Sequence, residues 1–290
     1  GGKREMVVKK LKQRVVKIVG RVLEASMPAS SANVAYNKVL WNRYARSWNY
    51  MKRVMPLEDR EVPVSERASY LKNLGDEWGR SSDIEEIVAH YIYPFVCPES
   101  VVGEIGSGGG RIALRVAPRV GQFYCFDISS EMLKKAKAAL GASANATYVL
   151  LKETVLPSNL KGQLDFIYAF DVFVHLDLHT LWKYFQQIAG VLKSGGKAFI
   201  HTTNLRAPDG WKRFISQNEY SVLGHYFISP EIVEIFACHS GLRIIKTSAP
   251  VSDGSEANHY LKRDFLVVLE KISDAAPHEF SQNNPSLQSR

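Results

Sequence analysis

Apolar side chains recur at Val8, Leu11, Val15, Ile18, Val19 and Val22, with lysines and arginines between them. Steps of three and four residues predict an amphipathic helix over 3–24. Met27–Ala32 interrupts the pattern and reads as a linker. An aromatic-rich helical stretch follows over 34–55, carrying Tyr36, Trp41, Tyr44, Trp48 and Met51, and Pro56–Pro63 ends it. A further helix is expected over 83–93, opened by the capping box Ser82-Asp-Ile-Glu85 and closed before Pro94.

From Val101 onward the period alternates between two and three to four. Strands are expected at 101–105, 122–126, 147–151, 164–170 and 196–203, and helices at 111–117, 130–140 and 178–192. A helix over 230–240 then precedes strands at 242–248 and 260–269. No helix separates these last two, so they should pair as an antiparallel hairpin at the sheet edge. The fold class is α/β: seven strands, mostly parallel, joined by right-handed crossovers with helices on both faces. The polar stretch 272–290, with Pro277 and Pro285, reads as a disordered tail.

Composition adds little until the charge is located. The 290 residues are 46% hydrophobic and 23% charged, as expected of a folded domain with flanking segments. No apolar run approaches the roughly 20 residues of a membrane-spanning helix. Cys97, Cys125 and Cys238 are far apart, which argues against a disulfide framework or thiolate zinc site and for a reducing, cytoplasmic setting. The net charge is +8, but residues 1–24 hold eight cations against Glu5 and Glu24. The remaining body is close to neutral, so the high pI does not point to nucleic acid. Residues 3–24 suit either a helix packed on the body or on a second copy, or one lying on an anionic membrane. A transit peptide is the lesser reading beside an opening Gly1-Gly2.

The densest chemical signal is Val101-Val-Gly-Glu104-Ile-Gly106-Ser-Gly108-Gly-Gly110-Arg111, a strand entering a glycine turn and then a helix. Asp127 follows at the end of the next expected strand, where a carboxylate can accept from both hydroxyls of a ribose. Gly108-Gly-Gly110-Arg-Ile-Ala113 also fits a relaxed dinucleotide pattern, so an NAD(P)-dependent oxidoreductase is the alternative. Glu104 favours a different ligand. Two residues before the first glycine, it would repel a pyrophosphate but suits an ammonium group. The terminal hairpin, in place of a second mononucleotide-binding half, points the same way.

Glu104-Ile-Gly106-Ser-Gly108-Gly-Gly110 resembles the first motif of class I S-adenosylmethionine-dependent methyltransferases. Phe126-Asp127-Ile128-Ser-Ser-Glu131-Met132-Leu133 is similar to their second. Leu192-Lys-Ser-Gly195-Gly196-Lys197 resembles the turn into their fifth strand, with Ser194 where proline is usual. Tyr226-Phe-Ile-Ser229-Pro230-Glu231 with Gly241-Leu242 looks like the helix before strand six in small-molecule members. The resemblance covers about 95–270 in motif order. It implies a Rossmann-like fold, S-adenosylmethionine as cofactor, and a methyltransferase domain over 97–271 after a basic helix and linker at 1–30 and a helical lid at 31–96.

The same resemblance implies the site. Glu104, Gly106, Gly108 and Gly110 would face the amino-acid end of the cofactor, Asp127 its ribose, and Ile128 and Met132 its adenine. Lys152 stands where an acid usually bonds the adenine amino group, leaving Glu153 as the substitute. Tyr44 and Trp78, from the lid segment and the Gly75–Gly79 loop, and Phe170 complete the expected cofactor set. A hydroxyl acceptor needs a base, whereas an amine can need none. His175, after the fourth strand, is the leading candidate, followed by His201 at the end of the fifth and His225 or Tyr226 beyond it. Asp171 and Asn204 resemble the metal-dependent catechol type, but position 203 is threonine rather than an acid, so no metal is expected. No Asn/Asp-Pro-Pro-Tyr run follows strand four, which counts against amino methylation of bases. The expected reaction is methyl transfer to a small organic molecule at O or N, with nucleic-acid methylation as a further alternative.

Overall fold

In the computed structural model, residues 33–54, 71–142, 145–219, 224–249 and 257–272 are described. The amphipathic stretch expected at 3–24, the linker at 27–32, the Pro56–Pro63 break and the tail at 273–290 lie outside them. The helices are Asn33–Val54 (α1), Ser81–Tyr91 (α2), Ala113–Val116 (α3), Ser130–Leu140 (α4), Leu178–Val191 (α5), Pro208–Gln217 (α6), Pro230–His239 (α7) and His259–Arg263 (α8). The strands are Val101–Ile105 (β1), Gln122–Asp127 (β2), Ala146–Leu150 (β3), Leu164–Ala169 (β4), Leu192–Thr203 (β5), Leu242–Thr247 (β6) and Asp264–Lys271 (β7).

One seven-stranded sheet runs in the order β3-β2-β1-β4-β5-β7-β6. β1 to β5 are parallel, and β7 is antiparallel to both β5 and β6. The period of two sorts side chains between two cores. In β4, Phe166 and Tyr168 join one apolar cluster with Ile87, Val88 and Tyr91 of α2 and Leu133 of α4. Ile167 and Ala169 join the other with Phe185 and Ile188 of α5 and Val233 of α7. Both faces are thus covered by helices, as strands buried on both sides require.

Helix ends follow local chemistry. Ser129 Oγ accepts from Met132 N at 3.1 Å to start α4, and Asp177 accepts from Thr180 N at 2.9 Å to start α5. α1 lies across α4: Tyr44, Ala45 and Trp48 bury with Met132, Leu71 and Leu74 in a third, smaller core.

Several expected boundaries move. α2 begins at Ser81 with Arg80 as its cap and no side-chain cap bond, so the capping box at Ser82 does not form. Ser81 Oγ instead donates to Glu85 at 2.8 Å. The helix expected at 111–117 shrinks to α3, because the glycine turn continues to Gly110 and Pro118 supports only a 3-10 turn after it. The strand expected from 260 starts at Asp264, after the short helix α8. β6 and β7 do pair antiparallel, yet β7 inserts between β5 and β6, placing β6 at the edge. α6 was not foreseen.

Candidate functional site

β1 ends in the turn Gly106–Gly110 because its residues there leave the sheet. Gly106 has φ +69°, and its N–H donates to Phe126 O at 2.7 Å. A Cβ on Gly106 would lie 2.3 Å from a Val172 methyl, and one on Gly109 would lie 2.3 Å from Leu74 O. The turn is therefore clamped between the end of β4 and the segment 71–79, and only glycine lets backbone approach backbone so closely.

Two carboxylates flank the turn. Asp127, at the end of β2, accepts from Gly108 N at 3.0 Å and Ser129 N at 2.8 Å. Each oxygen keeps a lone pair for a ligand. Burial pushes its carboxyl up to about 6, against the pull of those N–H groups. Glu104 is buried in β1, and its Oε2 has no hydrogen-bond partner among the described residues. Burial holds this carboxyl well above the usual range. Glu104 also lines the adjacent cavity, and a buried carboxyl there fits a cationic, hydrogen-bond-donating group.

Beside them lies a cavity open to solvent, with about 860 Å³ of empty space counted out into its mouth. Of the expected residues, Glu104, Gly106, Gly108, Asp127, Ile128, Met132, Phe170, Trp78 and His175 line it. Leu151, Ser107, Arg111, Asp171, Val172 and Tyr184 also line it, with Val34, Asn37 and Trp41 of α1 on the opposite wall. Gly110, Glu153, Tyr44 and His201 are not in that lining. A Cβ on Gly110 would meet Ala136 of α4 at 3.1 Å, so this glycine seats the turn on a helix. Glu153 is exposed, in a turn with φ +55°. Tyr44 is buried behind Trp78 and donates to Glu77, which also accepts from Gly75 N at 2.8 Å. Burial pushes Glu77 up to about 7.

His175 and His201 have opposite settings. His175 Nδ1 donates to Gly224 O at 2.8 Å, which leaves the Nε2 lone pair as the ring's acceptor. Burial lowers its pKa, so it is neutral at pH 7. Trp41 packs edge-on against this ring at 5.4 Å. His201 is fully buried in β5, between Asp171 and Asp264. Nδ1 accepts from Asp171 N at 3.0 Å, and Nε2 lies 3.0 Å from Asp264 Oδ2.

The sequence reading missed how Asp171 and Arg111 are used. Asp171 has φ +57°, an αL conformation held because its N–H reaches His201 and its carboxylate receives Arg111 and Tyr260. Burial would raise this carboxyl, but Arg111 and then His201 outweigh it and hold it low. Arg111 also donates to Gly75 O at 3.0 Å, and Tyr260 Oη, whose one proton goes to Asp171, lies 3.2 Å from Trp78 O. This buried network fastens the 75–78 loop over the glycine turn. Its only sequence signal was a charged residue directly after the glycines. Asp171 is thus committed to Arg111, and Asn204 Oδ1 to Arg206 N at 2.9 Å.

Residues 102–196 match the methyltransferase domain family. No curated protein matches the chain by sequence. Among solved structures, the chain is similar to magnesium protoporphyrin IX methyltransferase from Synechocystis with bound SAH, at 15% identity and TM-score 0.56, covering 81% of this chain and 99% of that one. It is also similar to geranyl diphosphate C-methyltransferase from Streptomyces coelicolor with Mg2+, geranyl diphosphate and S-adenosyl-L-homocysteine, at 14% identity and TM-score 0.57, covering 85% and 100%. A methyltransferase of Haloferax volcanii in complex with the Trm112 activator matches at 16% identity and TM-score 0.52, covering 67% and 90%. At these identities the likenesses show the fold, over 67% to 85% of the chain.

Proposed function

Starting from a class I, S-adenosylmethionine-dependent methyltransferase whose domain match spans 102–196, we propose that it methylates a small organic molecule held between the glycine turn and α1. The observation that carries this reading is one cavity lined together by Glu104, Asp127, His175 and Trp41. Both solved relatives named for their substrates act on small molecules, which supports the same class here.

S-adenosylmethionine supplies an activated methyl on a sulfonium. The residues fit it. Glu104 would accept from the ammonium, Asp127 would accept from the ribose hydroxyls, and Ile128, Met132 and Leu151 would enclose the adenine. The exposed Glu153 leaves the adenine amino group without its expected acid, so apolar contact carries most of that recognition. Trp78 and Phe170 cover the reacting end and exclude water. The buried Glu104 carboxylate disfavours the pyrophosphate that an oxidoreductase cofactor would place there.

His175 is the group positioned to take a proton from an acceptor hydroxyl. Gly224 fixes its tautomer, and burial keeps it neutral. The rest of the catalysis is alignment of nucleophile and methyl in a dry pocket. His201, outside the cavity lining and accepting from Asp171 N, serves instead to hold Asp171. No described helix is long and apolar enough to cross a membrane. With three free cysteines, we place the protein in the cytoplasm, with peripheral membrane contact through residues 3–24. The test is transfer of labelled methyl from S-adenosylmethionine into a metabolite extract. Radiolabel confined to polymeric nucleic acid would overturn the small-molecule reading.

A further inference from the structure

α6 turns its apolar side outward. Of its ten residues only Gly210 is buried, packed under Asn204 O and Arg263 O. Trp211, Phe214 and Ile215, at helical positions i, i+3 and i+4, are 51%, 43% and 55% exposed. A short helix is normally stabilised by burying such a face, so an apolar face left in water marks a binding surface. Lys212 and Arg213 lie within the same turn, Lys212 paired with Asp209, and Arg206 pairs with Glu231 nearby.

This surface connects to the cavity through successive ring contacts. Trp211 packs on Phe214 at 5.4 Å, Phe214 on Phe227 at 5.3 Å, Phe227 on His225 at 5.8 Å, and His225 on His175 of the cavity wall at 5.8 Å. Asn33, the first described residue, donates from Nδ2 to His175 O at 3.2 Å. Ring contacts thus link the apolar helix to the cavity wall that carries His175, and a segment with six excess cations precedes Asn33 in the sequence.

We propose that α6 is a lipid-contact helix, seating Trp211, Phe214 and Ile215 at the headgroup boundary of an anionic bilayer so that the cavity receives a membrane-resident amphiphile. This rests on the small-molecule methyltransferase reading. Area and charge select the occupant. Three large side chains about half exposed offer roughly 300 Å², from the 150–250 Å² each carries. A stable protein partner needs about 800 Å² per side. A bilayer surface needs only a few inserted apolar groups plus electrostatic attraction, which the basic stretch provides.

The test uses the full chain with vesicles of phosphatidylcholine alone and of two parts phosphatidylcholine to one part phosphatidylserine. The parent should partition onto the anionic vesicles and weaken with salt. Trp211→Ser combined with Phe214→Ser and Ile215→Ser should lower that partitioning at least about tenfold, while S-adenosylmethionine affinity and unfolding temperature stay those of the parent. Brominated lipid should quench part of the parent's tryptophan fluorescence, and Trp211→Phe should lose that part while still partitioning. The quenching reads on the folded parent whatever the triple variant does. Undiminished partitioning of a folded triple variant, absence of Trp211 quenching, or a dimer that dissolves with the triple substitution and ignores vesicles each overturns the proposal. Cofactor binding, read separately, reports on the site itself.

Discussion

Asp127→Asn removes one negative charge from the cavity without changing side-chain shape, and its consequences can be worked from the two backbone bonds. Each carboxylate oxygen accepts one N–H, Gly108 on one side and Ser129 on the other. An amide can accept only one of them, and its NH2 must face the other donor. The variant therefore loses one bond to a ribose hydroxyl and loosens one anchor of the turn. A hydrogen bond to a charged group is worth about 1.5–3 kcal/mol, so S-adenosylmethionine affinity should fall roughly 10- to 150-fold near pH 7.5. The pH profile supplies a second, independent reading. Burial raises the Asp127 carboxyl to about 6, so below that pH it protonates and loses acceptor capacity. Parent affinity should fall as pH drops from 7 to 5, whereas the asparagine, which does not titrate, should lack this component. Titration calorimetry with S-adenosylhomocysteine at several pH values measures both. Equal affinity of parent and variant at pH 7.5, or parallel pH profiles, would refute the assignment of Asp127 to the ribose.

His175→Ala should lower kcat by about 10²–10⁴ for a hydroxyl acceptor while leaving cofactor affinity near the parent's. Single-turnover methyl transfer checks it, and full turnover would mean that no base is needed at that position. Glu77→Gln should gain stability relative to the parent as pH rises. The Glu77 carboxyl is raised from 4.5 to about 7, so its favourable contribution is complete below about 4.5 and lost as pH climbs through 7. The shift corresponds to about 3 kcal/mol at 1.36 kcal/mol per unit, and the amide can still bond Gly75 N–H while Tyr44 Oη turns to accept. Denaturant unfolding at pH 5 and pH 8 tests this, and an unchanged difference between the two proteins would refute it. Arg111→Met should destabilise by about 1.5–3 kcal/mol, because it leaves the partly buried Asp171 carboxylate with the neutral Tyr260 hydroxyl in place of a guanidinium. It should also weaken cofactor binding by releasing the 75–78 loop. A variant as stable as the parent would show that Asp171 finds another partner.

What the sequence determined by itself is the part of the protein governed by local rules. Period-two and helical apolar spacing located the strands and most helices of 101–247, because each strand buried on both faces must be apolar throughout. The glycine run and the acids at 104 and 127 were legible since a strand–turn–helix joint fixes where those side chains go. Short-range competition was harder to read: Arg80 rather than Ser82 starts α2, and α8 replaces the first residues expected of β7. Tertiary structure alone decided the order of the last strands, since pairing β7 between β5 and β6 depends on which edge remains open after the parallel strands assemble. It also decided the fate of the ionisable groups. His175 follows β4 in sequence, and His201 lies near the end of β5. Only the fold makes one a neutral acceptor on the cavity wall and commits the other to Asp171 and Asp264. The Arg111–Asp171 pair joins residues 60 positions apart, and the outward apolar face of α6 is defined by what does not pack against it. Neither has a local signature, because burial and partnership are properties of the assembled chain.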